Sequence, residues 1–133
     1  MAKAARTFEE RTHQNLLRAV RQAKPEDCEP PWELVPGNAM PPMMFELRSR
    51  DGSTTSYPYG DVRMIRSPDA GCVELYLLSM EKLLVTIKGR HLRDLARSFN
   101  SGMVRWVEEG DHRDLRPEEA PSITEIDICE LVD

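Results

Sequence analysis

Between Met43 and Glu109 the sequence alternates short segments of strand character with turn signals and then gives way to one helical stripe. That order constrains the fold more than any other feature of the chain. Phe45 to Arg50 sets Phe45 and Leu47 against Glu46 and Arg48, the period-two alternation of a half-buried strand. Asp51-Gly52 follows, a pair that accepts the positive φ of a tight hairpin turn. Ser53 to Tyr59 returns with Thr55, Tyr57 and Tyr59 on one face; Pro58, lacking an N–H for a ladder, places this return at an edge or a strand end. Beyond a bend at Gly60-Asp61, Val62 to Arg66 either continues the strand or forms a short one, and Ser67-Pro68-Asp69-Ala70-Gly71 is a turn. Cys72 to Met80 and Leu83 to Lys88 are apolar on both faces, which predicts that they form the centre of the sheet. Gly89 then hands over to a helix, along which Leu92, Leu95, Ala96, Phe99, Met103 and Trp106 recur at helical spacing. Ser98 to Gly102 weakens the middle of that stripe, so the expectation is one helix with a soft spot. The alternative is that Met103 to Val107 breaks away as an extended piece.

The flanks of this core differ from it in character. Thr7 can cap a helix of about Phe8 to Ala23, with Glu10 three residues on and a thin stripe of Phe8, Leu16, Leu17, Val20 and Ala23. Pro25, Pro30, Pro31, Pro36, Pro41 and Pro42 then oppose regular structure. Trp32, Leu34, Val35, Met40, Met43 and Met44 make the same segment too apolar for a solvated linker, so it reads as an extended strap on the core, anchored by Trp32. Gly110 to Pro121 is a charged linker, and Ile126, Ile128 and Val132 alternate through a final strand that pairs with the core sheet or with another chain. The expected division is therefore 1–42 (helix and strap), 43–109 (core) and 110–133 (linker and acidic strand). The expected fold is α+β: an antiparallel sheet of four to six strands, rolled or barrel-like, with a C-terminal helix packed on it and an outlying N-terminal helix.

Composition bounds the function. A chain of 133 residues supports a single core. With 31% charged residues and no apolar run near the ~20 needed to cross a bilayer, it reads as soluble and not as a membrane partner. No apolar stretch follows Met1, so no secretory signal is expected, and Cys28, Cys72 and Cys129, odd in number and far apart, read as reduced cytoplasmic thiols. The net charge of -5 is uneven: Glu118, Glu119, Glu125, Asp127, Glu130 and Asp133 close a chain whose core is mildly basic.

Catalytic patterns are missing from the sequence. The cysteines and His13, His91 and His112 have no metal-ligand spacing, and no serine or cysteine sits in a nucleophile motif. The expectation is therefore no cofactor, no metal and no enzyme activity. Two basic constellations invite a binding role. Lys88-Gly89-Arg90-His91, with Arg93 beyond, gathers positive charge at a strand-to-helix turn whose free N–H groups suit an anion. Tyr57 and Tyr59, near Arg48, Arg50 and Arg63, have the makings of a base-stacking strand face. The leading expectation is nonetheless a non-enzymatic cytoplasmic interaction module that self-associates or docks a protein partner, with Trp32, Ile126 and Ile128 as its contact residues. An anion or nucleic-acid binder using the 88–93 turn is the second.

Overall fold

A computed structural model of the chain describes residues 29–111 and 116–132. Eight strands run through the described residues: β1 (Trp32–Leu34), β2 (Met44–Arg48), β3 (Thr54–Pro58), β4 (Val62–Asp69), β5 (Cys72–Leu78), β6 (Lys82–Arg90), β7 (Val104–Glu108) and β8 (Ser122–Glu130). One α-helix, α1 (Arg93–Asn100), stands between β6 and β7. The strands form two four-stranded sheets, ordered β1-β7-β2-β3 and β4-β5-β6-β8. Strand accounts for 51% of the described residues and helix, with its 3-10 turn, for 11%, so the molecule is a mostly-β protein and the α+β expectation is corrected. Among the described residues there is no single rolled sheet and no closed barrel, and the helix is not C-terminal to the sheet: two strands follow it. The helix expected over Phe8 to Ala23 lies outside the described residues.

The main source of that correction is the end of α1. Gly102 takes φ +68, a conformation that costs a residue with a Cβ, and its N–H bonds back to the Phe99 carbonyl at 3.0 Å. The Met103 N–H bonds to the Ser98 carbonyl at 3.0 Å, completing the paired bonds of a glycine-terminated helix. The stripe through Met103 and Trp106 is thereby cut, and Val104 to Glu108 becomes β7. That strand lies parallel to β2, with Glu46 opposite Trp106 and Leu47 opposite Val107, and antiparallel to β1 on its other side. Trp32 does hold the Pro-rich strap to the core, but as part of a strand paired with β7.

Two expected turns form as the residues dictate. Gly52 adopts φ +91 between β2 and β3, and the Asp51 carboxylate accepts from the Ser53 hydroxyl (2.6 Å) and N–H (2.9 Å). β5 and β6 pair through seven positions, from Cys72 opposite Lys88 to Leu78 opposite Lys82, and occupy the middle of the second sheet. The 3-10 turn Tyr59–Asp61 carries the chain directly from β3, an edge of the first sheet, to β4, an edge of the second.

One buried cluster joins everything. Trp32, Phe45, Leu47, Val104 and Val107 from the first sheet pack with Val73, Leu75, Leu77, Val85, Ile87 and Ile123 from the second, and α1 adds Leu95, Ala96 and Phe99. The two sheets are also tied by polar groups. Arg50 donates to the carbonyls of Gly110 (2.8 Å) and Thr124 (2.7 Å), and the Glu109 carboxylate accepts from the Ile126 N–H at 2.7 Å. The acidic C-terminal segment is thus built into the second sheet. No helix among the described residues is long and apolar enough to cross a membrane.

Candidate docking site

The strand-to-helix turn owes its sequence to packing. β8 crosses Gly89 so closely that a Cβ there would stand 1.8 Å from the Ser122 carbonyl oxygen. This lies at the register shift between Lys88 and Gly89, and it is why a glycine is required. The Arg90 guanidinium donates to the carbonyls of Ala120 (3.1 Å), Pro117 (3.0 Å) and Arg116 (3.2 Å). His91 sits at φ 55 with Nε2 3.1 Å from the Glu118 carbonyl oxygen. Arg90 and His91 therefore clamp the 116–120 segment, leaving Lys88 and Arg93 exposed on either side. The five residues are neighbours in the chain, but they do not converge on a common point.

Tyr57 and Tyr59 cover the core at the corner between the sheets. The Phe45 ring lies 5.1 Å from that of Tyr59, 6.2 Å from that of Tyr57 and 5.3 Å, edge-on, from that of Phe99. The Tyr59 hydroxyl donates to the Val104 carbonyl at 2.8 Å, and burial pushes its phenol up to about 12; burial raises Tyr57 as well. The arginines near them in sequence have other partners. Arg48 stacks 4.2 Å over the Trp106 ring, Arg50 binds the carbonyls named above, and Arg63 donates to the Gly60 carbonyl at 3.1 Å.

Of the expected partner-contact residues, Trp32 is interior, with 6% of its surface exposed, and is corrected to a core residue. Ile126 is half-buried against the core. Ile128, 37% exposed, lies opposite Val85 at the outer edge of the second sheet. Burial, reinforced by the nearby Glu74 and Asp69 carboxylates, raises the Cys72 thiol, the opposite of what an activated nucleophile needs. Among the described residues no three His, Cys, Asp or Glu side chains group as metal ligands.

What the sequence reading missed is a surface that only the register assembles. On β5, Val73, Leu75 and Leu77 face the core, so Cys72, Glu74, Tyr76 and Leu78 face outward. Pairing then aligns Met64 of β4, Tyr76 of β5, Leu84 of β6 and Cys129 of β8 in one row across all four strands. Leu78 extends the apolar surface along β5, and Leu131 does so just past the end of β8, where its N–H bonds to the Lys82 carbonyl at 2.8 Å. Met64 is 48% exposed, Leu78 44% and Leu131 39%, while Tyr76 and Leu84 are half-buried and stand outside the core cluster. The outer face of a two-layer antiparallel sheet ordinarily alternates to polar residues. Here it carries an apolar stripe about 14 Å wide, taking three inter-strand spacings. A polar row, Arg66, Glu74, Thr86 and Asp127, borders it. The signal was present in the sequence as the apolar character of both faces of β5 and β6; the partners on β4 and β8 were not legible without the pairing. No family model matches the chain, and no curated protein or solved structure is similar to it.

Proposed function

We propose that this chain is a small, non-enzymatic, cytoplasmic interaction module that docks a protein partner on the outer face of its second sheet. The observation that carries the reading is the apolar row Met64–Tyr76–Leu84–Cys129, which no described segment of the chain covers. Contiguous apolar surface of this kind on a small domain marks an association site, whereas single exposed apolar side chains do not. The half-buried and exposed thiols of Cys72 and Cys129 stand unpaired, in keeping with a reducing compartment.

The test is Leu84→Asp in the full chain. Leu84 lies outside the core, so the variant keeps its fold, checked by an unchanged far-UV spectrum and cooperative melting. Cross-linking in a lysate of the source cell, followed by mass analysis, is expected to yield defined adducts with the wild type and none with Leu84→Asp. Met40→Asp is the control: it removes a methionine 88% exposed in the segment between β1 and β2, outside the strands of the second sheet, and its adducts are expected to persist. Identical adducts from the wild type and Leu84→Asp would overturn the reading.

A further inference from the structure

We infer that the occupant of this face is a second copy of the chain, packed sheet to sheet about a two-fold axis that runs along the strands between β5 and β6. The inference rests on the docking reading above and names its partner. Such an axis lays β4 over β8 of the second copy and β5 over its β6, and it keeps each row at its own height. Tyr76 then meets Leu84 of the second copy, and Met64 meets its Cys129, so the row Met64–Tyr76–Leu84–Cys129 covers itself, while at the end of the face Leu78 meets the exposed Lys82 of the second copy. In the bordering row, Arg66 of β4 comes over Asp127 of β8. Both can be reached: the Arg66 side chain is 62% exposed and its ion pair with Glu74 is long, at 3.9 Å, and Asp127 is exposed with no ion pair among the described residues. One row further, Lys88 stands beside its own Glu125 and over Cys72, next to Asp69, of the second copy, so it offsets the one place where two carboxylates approach.

The alternatives within a homodimer are poorer. An axis across the strands would set Glu74 against Leu78 and Asp127 against Leu131. Adding β8 edge to edge sets Asp127 against Asp127 or Glu125, or else Glu130 against Ile126 or Ile128, and like charges directly opposed across a ladder are destabilising. The edge is also part-closed, since Glu109 holds the Ile126 N–H and Arg50 the Thr124 carbonyl. The face measures about 14 Å by about 24 Å, the length of seven strand residues, so the two copies together bury less than the ~1,200 Å² of a stable interface and the dimer is a weak, concentration-dependent one.

Two measurements on the full chain decide it. The first is light scattering on a sizing column from about 10 to 500 μM, where a mass approaching twice 15.2 kDa is expected at the upper end. Arg66→Glu and Asp127→Lys should each weaken the dimer by about tenfold, and the double variant should return it to within about threefold of the wild type. The second uses Met64→Cys in a Cys28→Ser, Cys72→Ser background. Residues 64 and 129 of one chain lie three strands apart, about 14 Å by the strand spacing. Facing sheets stand about 10 Å apart with their side chains pointing at each other, so a thiol-specific cross-linker of about 5 Å reach joins residues 64 and 129 only between copies. Cross-linking and peptide mapping are expected to give that bond. A monomer at all concentrations, a 129–129 bond alone, or charge variants that weaken the dimer without rescue would overturn the second-copy assignment. If Leu84→Asp still removes a cross-linked partner in those cases, the docking face stands and a different protein occupies it. If Leu84→Asp changes nothing either, the docking reading falls with it.

Discussion

Tyr59 stands at the corner where the chain leaves the first sheet for the second, its ring set against Phe45 and Phe99 and its hydroxyl donating to the Val104 carbonyl. The position has a consequence at high pH. Burial raises the phenol from 10.0 to about 12, so the folded state keeps its proton where the unfolded chain has lost it. Between those two values the unfolded state binds fewer protons, and stability falls as pH rises; below 10 the contribution is fully present, and above 12 its loss is complete. A shift of this size corresponds to roughly 2–3 kcal/mol, reduced to about 1–2 kcal/mol because water still reaches part of the ring. Urea unfolding of the wild type and Tyr59→Phe checks it. At pH 8 the variant is expected to be about 1 kcal/mol less stable, for want of the Val104 bond. By pH 12 that gap should close or reverse, because only the wild type has a buried phenol to ionise at this site. Parallel curves from pH 8 to 12 would show that the ring is hydrated in the folded protein.

At the level of elements, β8 depends on the one residue that lets it approach β6. Gly89→Ala places a Cβ 1.8 Å from the Ser122 carbonyl oxygen and 2.9 Å from the Ile123 Cα, both backbone atoms of β8 that cannot rotate away. The strand must shift, dragging Ile123 from the core and the 116–120 segment from the Arg90 clamp. A loss of about 3 kcal/mol is expected, at the upper end of what overpacking costs. Gly60→Ala, with nothing within 4 Å of its Cβ, is the matched control and should stay within about 0.5 kcal/mol; equal midpoints for the two in chemical denaturation would refute the close approach. The same element separates what the sequence disclosed from what it hid. Alternation and turn residues disclosed the β2–β3 hairpin, the central place of β5 and β6 and the pairing strand at the C-terminus, because those depend on neighbours in the chain. The basic residues at 88–91 looked like ligand groups because their donors are written in the sequence, whereas the carbonyls of 116–120 that satisfy Arg90 and His91 are set by the fold. Phe99, Met103 and Trp106 keep helical spacing, yet Val104 and Val107 are the residues that β7 buries. The parallel pairing of β7 with β2 leaves no local trace.

At the scale of the whole molecule, the two sheets have no separate interiors. Leu47 and Val107 of the first and Leu75 and Val85 of the second belong to the same buried cluster, and the chain enters the second sheet from the first at β3–β4 and meets the first again through β7. Neither half retains an apolar interior without the other, which makes a single cooperative transition the physical expectation. The distribution of chromophores allows a sharp check. Both tryptophans of the chain, Trp32 and Trp106, stand in the first sheet, on β1 and β7. Tryptophan emission therefore follows the first sheet, while the far-UV signal follows both. Leu75→Ala opens a cavity in the second sheet, at a site fully removed from solvent, and should cost about 2–5 kcal/mol. If the molecule is one unit, the urea midpoints by emission and by far-UV signal shift down together, with unchanged slope, although the substitution lies in the sheet without a tryptophan. An emission midpoint that stays in place while the far-UV midpoint falls would mean that the first sheet holds together alone. The face of β4, β5, β6 and β8 would then belong to a unit able to unfold by itself, and its partner would act by stabilising that half of the molecule.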